Sequence, residues 1–304
     1  MTDAAQPALE AVSITPISYR DWPNAYVISN GIVEAVVVPS ISRIMQFRFT
    51  GDEAGVFWEN QTVDAADWPN YGGDKTWPAP QESWEAVGGR PWPPPVGFDK
   101  APSTLTIDNQ RLVLSSPVDD HYGVQVTREI TLECCTPIMR VTTTFTKVCG
   151  SPLRIGVWVI TQLREPQSIV APIHGQPPYK TTMGSGFEDV RSSSDLLSIR
   201  RAKMANVKLV LGGTSLLWLD CDFVLRIDTN TNHSRGRSHT AVYTNKDPLD
   251  YVELETVGPV VMLAPGKSLR QTNIYTLGHR SGDRPEVQAR AAFCEGTSTG
   301  TVGP

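Results

Sequence analysis

Apolar and polar residues alternate with a period of two along most of the chain, whereas helical periodicity is nearly absent. From residue 124 to 132, four of the five even-numbered positions are apolar and every odd-numbered position is polar. Such alternation is typical of a β-strand with one face in a core. Residues 139–145 alternate in the same way and are rich in Thr and Val, which favours an antiparallel pair of strands.

Further strands are predicted where short apolar or alternating runs stand between turn residues. They cover residues 25–29, 32–38, 43–49, 104–107, 111–115, 153–162, 207–211, 215–219, 222–228, 239–244, 250–256 and 268–277. About fourteen strands without intervening helices favour an all-β, antiparallel sandwich of two large sheets over a parallel α/β sheet. One helix is predicted over residues 285–293, where an early Pro is followed by good helix formers.

The pattern predicts a single β domain over residues 12–280, without a linker or an internal repeat. Residues 1–11 are expected to form an N-terminal tail, and residues 281–304 a short helix followed by a loose tail rich in Gly, Ser and Thr. A chain of 304 residues can bury roughly three quarters of its unfolded surface, so its core needs no disulfides.

Residues 58–95 interrupt the strand pattern. Five of the eight tryptophans lie between residues 58 and 92, and seven of the 24 prolines between residues 69 and 95. Long irregular segments in compact domains are usually functional or disordered, and disordered segments are poor in aromatic residues. We therefore predict an ordered functional loop, since an indole pairs a flat apolar face with an N–H donor, as a sugar ring requires. The alternative is that the rings only plug one end of the sandwich.

Composition narrows the range of partners. The 27 Lys and Arg residues are outnumbered by 32 Asp and Glu residues, and the net charge of −5 disfavours nucleic-acid binding. Neither a secretory signal nor a membrane-spanning apolar run is apparent, which predicts a cytoplasmic protein that does not bind membranes.

The five cysteines have no CxxC spacing. We expect buried free thiols, with Cys134 and Cys135 on opposite faces of a strand, and neither a metal ion nor a cofactor.

Several stretches resemble one known family. Residues 254–256 and the turn at 263–268 resemble the glutamate-bearing strand and the L-x-P-G turn of galactose mutarotase-like proteins, the aldose 1-epimerase superfamily. Residues 29–44 look like the opening hairpin of that superfamily, and residues 71–81 are similar to a bacterial branch of it. The resemblance implies a β-supersandwich with a sugar-binding groove on a concave face.

The resemblance also implies a reaction and a base. In an aldose 1-epimerase, a carboxylate takes the proton of the anomeric hydroxyl while a histidine protonates the ring oxygen, so that the ring opens and closes again as the other anomer. The resemblance places the carboxylate at Glu255. Glu253 lies two residues away on the same strand face and is the alternative.

The proton donor departs from the family pattern. The strand that corresponds to the histidine-bearing strand, residues 156–163, contains no histidine. Gln162 or Thr161 takes the corresponding place, and an amide or hydroxyl donates a hydrogen bond but no proton near neutral pH. His121, at the expected groove rim, and His174, in a Pro-rich loop, are the candidate donors ahead of the other three histidines. Those three are His233, His239 and His279.

Two cationic residues are candidates for substrate contacts. Arg43 lies where the superfamily presents an arginine to the substrate, and Lys75 follows Asp74 in the Trp-rich segment. Either cation can bind hydroxyls or an anionic group of a ligand, although both can equally serve structural ion pairs. The predicted substrate-binding residues are Arg43, Asp74, Lys75, Trp77, Gln81, Trp84, Trp158, His174 and Tyr251.

Three functions stay open at this point. The first is an isomerase that converts a saccharide or sugar derivative by acid and base catalysis. The second is a carbohydrate-binding protein that has lost proton transfer, because the usual histidine is missing. The third is an isomerase or cyclase recruited to an aromatic or apolar small molecule.

Overall fold

The computed structural model describes residues 12–62, 68–184, 189–231 and 237–295. The predicted tail at residues 1–11, the chain beyond residue 295 and His233 lie outside the described residues.

Within the described residues the chain forms two large antiparallel sheets with few helices. The strands are β1 (Ser13–Tyr19), β2 (Trp22–Ser29), β3 (Val33–Val38), β4 (Arg43–Phe49), β5 (Asp74–Ala79), β6 (Thr104–Asp108), β7 (Arg111–Ser115), β8 (Val124–Leu132), β9 (Ile138–Lys147), β10 (Leu153–Arg164), β11 (Ser168–Pro172), β12 (Tyr179–Met183), β13 (Val190–Ser192), β14 (Leu196–Ile199), β15 (Val207–Leu211), β16 (Ser215–Leu219), β17 (Phe223–Thr231), β18 (His239–Thr244), β19 (Tyr251–Val257), β20 (Val261–Leu263) and β21 (Ser268–His279). The α-helices are α1 (Trp84–Gly88), α2 (Val96–Asp99) and α3 (Pro285–Glu295).

The order of the strands defines the two sheets. Sheet I has 11 strands in the described chain, in the order β1-β2-β3-β4-β5-β10-β19-β18-β15-β12, with β20 paired to β10. Sheet II has 10 described strands, in the order β13-β14-β11-β16-β17-β21-β9-β8-β7-β6. The predicted all-β antiparallel supersandwich is confirmed, and the helix predicted over residues 285–293 is present as α3.

Alternate side chains of both sheets fill the main core between them. Val252 and Leu254 of β19 meet Ile130 of β8 and Leu225 of β17 in one buried cluster. Removal of each such side chain from water contributes about 1.5–3 kcal/mol. Since successive side chains of a strand point to opposite faces, Glu253 and Glu255 lie on the other face of sheet I. We call that face the site face.

The Trp- and Pro-rich segment is more regular than predicted. It contains β5, which pairs with β10 over six residues and so lies in the middle of sheet I. The sequence pattern did not predict this strand because it contains Pro78, and proline is normally confined to edge strands. The prediction of an irregular loop is therefore wrong for residues 74–79.

A buried ion pair joins the two sheets. Asp74 of β5 binds the guanidinium of Arg128 from β8, and its Oδ2 atom accepts hydrogen bonds from Thr161 (2.7 Å) and Tyr275 (2.6 Å). Arg128 is the one polar residue at an even position of β8, which explains the exception in that pattern. Asp74 thus faces the inter-sheet core, and its expected role in substrate binding does not agree with this position.

The cysteines differ from the expectation of buried thiols, since all five are exposed. Cys134 and Cys135 lie in the turn between β8 and β9 instead of on a strand, so the alternation rule does not apply to them. Among the described helices, none is both long and apolar enough to cross a membrane.

Candidate functional site

The register of three neighbouring strands determines which side chains meet on the site face. Across β10 and β19, Gln162 pairs with Glu253, and Ile160 pairs with Glu255. Across β10 and β5, Ile160 also pairs with Lys75. Lys75 and Glu255 therefore share a row across sheet I, and Glu253 lies in the adjacent row.

Lys75 is an ammonium buried among aromatic rings. It has no exposed surface, and its Nζ atom lies 5.0 Å from the ring centroids of both Trp68 and Trp77. The nearest carboxylate oxygen is Oε1 of Glu253, at 3.7 Å. Burial lowers the pKa of Lys75 to about 8, although the charge of Glu253 acts in the opposite direction. Burial also raises the pKa of Glu253 above its ordinary value.

Glu255 is held in a defined orientation. Its Oε2 atom accepts a hydrogen bond from the indole N–H of Trp158 (2.9 Å) and forms an ion pair with Nζ of Lys208 (2.7 Å). The Lys208 ammonium also lies 4.3 Å from the centroid of the Trp158 ring. Both contacts involve Oε2, and among the described residues no hydrogen-bond donor to Oε1 is found; the Glu255 side chain is buried.

Several buried polar atoms of the site have no hydrogen-bond partner in the described chain. They are Nζ of Lys75, Oε1 of Gln162 and Oδ1 of Asn70. Gln162 donates its Nε2 to Glu253 at 2.9 Å, and Asn70 lies beside the hydroxyl of Tyr251. An unsatisfied buried polar group costs about 1–3 kcal/mol. A ligand hydroxyl can both donate and accept, so it can satisfy the ammonium as well as the amide oxygens.

Asp99 of α2 fixes the aromatic rings around Lys75. Its carboxylate accepts the indole N–H of Trp77 and of Trp68, each at 2.8 Å, and an N–H of Arg43 at 3.0 Å. Arg43 also donates to the carbonyl of Gly72 at 2.9 Å and is fully buried. Arg43 therefore supports the indoles through Asp99, and its contact with a substrate stays a prediction.

The structure brings together seven of the predicted site residues on the site face. They are Lys75, Trp77, Trp158, Gln162, Tyr251, Glu253 and Glu255. Trp84 is buried beside them: its ring packs against Trp77 and Trp158, and its indole N–H donates to the carbonyl of Pro78. Gln81 is exposed in the turn after β5 and does not join this cluster.

The two favoured histidines lie elsewhere. His121 is exposed and lines a cleft of about 650 Å³ between the Trp- and Pro-rich segment and the turn before β8. His174 is exposed in the loop after β11, where it lies against Gly212 and Gly213. In the described part of the chain, no hydrogen bond or ion pair joins either imidazole to Glu253 or Glu255. The structure therefore does not place either histidine as the proton donor of this cluster.

Sequence reasoning missed one neighbour of Glu255, Lys208, and ranked another, His239, below His121 and His174. Lys208 alternates with buried Val207 and Leu209 in β15, a signal that it faces away from the core, but the pattern does not reveal its partner strand. His239 of β18 lies opposite Val257, one row from Glu255, and burial lowers its pKa. Among the described residues, no group of three or more His, Cys, Asp and Glu side chains is arranged to hold a metal ion.

Comparison with solved structures identifies the fold. The chain is similar to a proposed aldose 1-epimerase from Escherichia coli K12, with a TM-score of 0.60 and 14% identity over 88% of this chain and 100% of that chain. It is also similar to a galactose mutarotase-like protein from Lactobacillus casei, with a TM-score of 0.60 and 9% identity over 84% of this chain and 100% of that one. A proposed mutarotase from Salmonella typhimurium gives a TM-score of 0.59 and 11% identity over 92% and 96% of the two chains.

The protein thus has the galactose mutarotase-like fold, which confirms the resemblance noted in the sequence. No family model and no curated protein matches the sequence. At these identities the similarity concerns the fold, and the chemistry must be argued from the site.

Proposed function

We propose that the protein is a carbohydrate-active isomerase that interconverts the anomers of a small saccharide on the site face. The main support is the juxtaposition of a buried lysine of lowered pKa with two carboxylates beneath indole rings. Lys75 supplies an acid with a lowered pKa, and Glu253 and Glu255 supply carboxylates of different environment. Groups whose surroundings push their pKa values apart are typical of paired acid and base catalysis.

In this proposal Glu255 is the base and Lys75 replaces the histidine of the family. Oε1 of Glu255 takes the proton of the anomeric hydroxyl while the Lys75 ammonium delivers a proton to the ring oxygen. The bond between C1 and the ring oxygen breaks, C1 becomes a carbonyl, and rotation about the C1–C2 bond precedes closure. Closure returns both protons and leaves the enzyme unchanged. An amine with a pKa of about 8 is largely protonated at neutral pH, yet releases its proton more readily than an ordinary lysine.

The remaining groups of the site fit a sugar. The indoles of Trp77 and Trp158 meet edge to face with centroids 5.2 Å apart, which provides apolar surface for the C–H groups of a ring. Gln162 and Asn70 offer unsatisfied acceptors for hydroxyl protons. This combination of apolar surface and a few convergent polar groups is typical of small-molecule sites.

Anomer exchange tests the proposal directly. Exchange rates for a panel of aldoses, measured by magnetisation-transfer NMR, are expected to exceed the buffer rate for at least one sugar. Glu255→Gln and Lys75→Met should each lower that rate by roughly 10²–10⁴-fold. Glu53→Gln and Lys246→Met, which remove exposed charges of the same types, should leave it unchanged. A wild-type rate equal to buffer across the panel, or full activity of Glu255→Gln, would contradict the proposal.

One observation favours the second candidate, a carbohydrate-binding protein without catalysis. Lys208 and Trp158 both contact Oε2 of Glu255, so one of its two carboxylate oxygens is already occupied by protein groups. Calorimetric titration distinguishes the two functions. Saturable binding of a sugar that Trp77→Ala abolishes, without accelerated anomer exchange, would identify a binding protein.

A further inference from the structure

The turn between β8 and β9 holds two adjacent thiols on the same side of the chain. Sγ of Cys134 lies 3.1 Å from Sγ of Cys135, and both residues are exposed. Side chains of neighbouring residues in a strand point in opposite directions. Cys135 instead has a φ of 61°, in the left-handed region, and this conformation brings the two sulfur atoms together.

The backbone conformation of Cys135 is uncommon for its residue type. Residues other than Gly, Asn and Asp rarely adopt the left-handed region, which costs roughly 1–2 kcal/mol. Such conformations persist where the surrounding structure enforces them, and they cluster at functional sites.

The residues on either side of the thiol pair are held in place by Asn30, in the turn between β2 and β3. The Nδ2 group of Asn30, which is buried, donates to the carbonyl of Glu133 (2.6 Å) and to the carbonyl of Thr136 (2.8 Å). The N–H of Glu133 donates to the carbonyl of Ile138 at 2.9 Å, and its carboxylate binds the guanidinium of Arg140. Asn30 thus fixes both ends of the Cys134–Cys135 step, while the thiols stay in contact with solvent.

We propose that Cys134 and Cys135 form a vicinal dithiol site that small-molecule disulfides oxidise to a disulfide between the two residues. The thiolate of one cysteine attacks a sulfur of glutathione disulfide, whose S–S bond breaks and releases one glutathione thiolate. The thiolate of the other cysteine then attacks the protein sulfur of the mixed disulfide and releases the second glutathione. The protein loses two protons and two electrons, and glutathione disulfide gains them as two glutathione thiols.

Other exposed cysteines of the chain provide an internal control. Cys149 and Cys221 lie in different loops, and neither has a sulfur partner among the described residues. Without a second thiol within reach, the reaction at these residues stops at the mixed disulfide. The second step is therefore specific to the turn between β8 and β9.

Mass spectrometry of the full chain tests the assignment. Reduced protein is equilibrated with glutathione and glutathione disulfide, quenched with N-ethylmaleimide and digested. The peptide with Cys134 and Cys135 should lose two hydrogen atoms and carry neither glutathione nor maleimide, whereas Cys149 and Cys221 carry one or the other. In Cys134→Ser and in Cys135→Ser, the remaining thiol should retain one glutathione. Both substitutions are at exposed positions, and circular dichroism is used to check that the variants are folded.

The comparison with unfolded protein isolates the contribution of the turn. The equilibrium constant for oxidation of the pair by glutathione disulfide is expected to be at least about tenfold larger in the folded chain than in urea, because the turn holds the sulfurs together. Two glutathiones retained on the peptide, or equal constants in the folded and unfolded chains, would overturn the assignment.

Discussion

Replacement of Lys75 by methionine tests whether a desolvated ammonium lies at the centre of the site face. Methionine has similar length, packs well in irregular apolar surroundings and binds no proton. Lys75 has no exposed surface, and its Nζ has no hydrogen-bond partner in the described chain. The pH dependence of stability therefore distinguishes a buried amine from an ordinary surface lysine without knowledge of the substrate.

The sign and size of the effect follow from the lowered pKa. Burial lowers the pKa of Lys75 from 10.5 to about 8 in the folded state, so above about pH 8 the unfolded chain binds more protons at this residue than the folded chain. The free energy of unfolding of the wild type, compared with that of Lys75→Met, should therefore rise with pH. Between about pH 7 and about pH 9.5 the linkage relation gives a gain of about 2 kcal/mol.

Urea denaturation at both pH values measures this gain. Wild type, Lys75→Met and the exposed-site control Lys246→Met are compared, and the control should follow the wild type at both values. Glu253 titrates in the opposite sense, because burial raises its pKa, so the comparison is repeated in a Glu253→Gln background. If the stability difference between wild type and Lys75→Met is the same at both pH values, the ammonium is not desolvated and the reasoning fails.

Three further predictions concern the proton donor and the two buried aspartates. If Lys75 donates the proton, the wild-type rate of anomer exchange above buffer should fall about tenfold between about pH 7 and about pH 9, and Lys75→Met should show no break in this range. Asp99→Asn leaves the buried Arg43 without its counter-charge, so the free energy of unfolding, measured by urea denaturation, should fall by about 3–5 kcal/mol. Tryptophan fluorescence should change as well. Unchanged stability would contradict the described contacts of Asp99. Asp74→Asn should destabilise the protein by a similar amount, about 3–5 kcal/mol, because Arg128 loses its charged partner. Anomer exchange per folded molecule should stay at the wild-type level. A selective loss of exchange would contradict the position of Asp74 between the sheets.

The alternation of apolar and polar residues predicted strands that have one face in the core and the other towards solvent. In β8 and β9, buried and half-buried residues alternate over the whole strand, because one face meets the core and the other is partly exposed to solvent. β5 was not predicted because both of its faces are buried and it contains Pro78. Neither an alternation of apolar and polar residues nor its composition therefore indicates a strand. The short strands β13 and β20 have only three residues each, too few for any period to be visible.

The sequence pointed to Glu253, Glu255 and Lys75 of the proposed site, but not to Lys208. Glu253 and Glu255 occupy alternate positions in an apolar strand, and that anomaly is visible in the sequence. The ion pair of Lys208 with Glu255 depends on the order β19-β18-β15, which no local pattern encodes. The same limit applies to Cys134 and Cys135, where a rule for strands was applied to residues that form a turn.

The two ion pairs of the site face differ in ways that assign their roles in the proposed reaction. Lys208 contacts Glu255 at 2.7 Å and keeps 20% of its side chain exposed, so its charge is solvated and well paired. Lys75 lies 3.7 Å from Glu253 with no exposed side chain, so its charged form is stabilised by little besides that carboxylate and two indole faces. A proton leaves more easily from the cation that is less stabilised. Lys208 therefore orients and stabilises Glu255, whereas Lys75 is the group poised to give up its proton. In the proposed reaction, Lys75 takes the part of the histidine that is absent from β10.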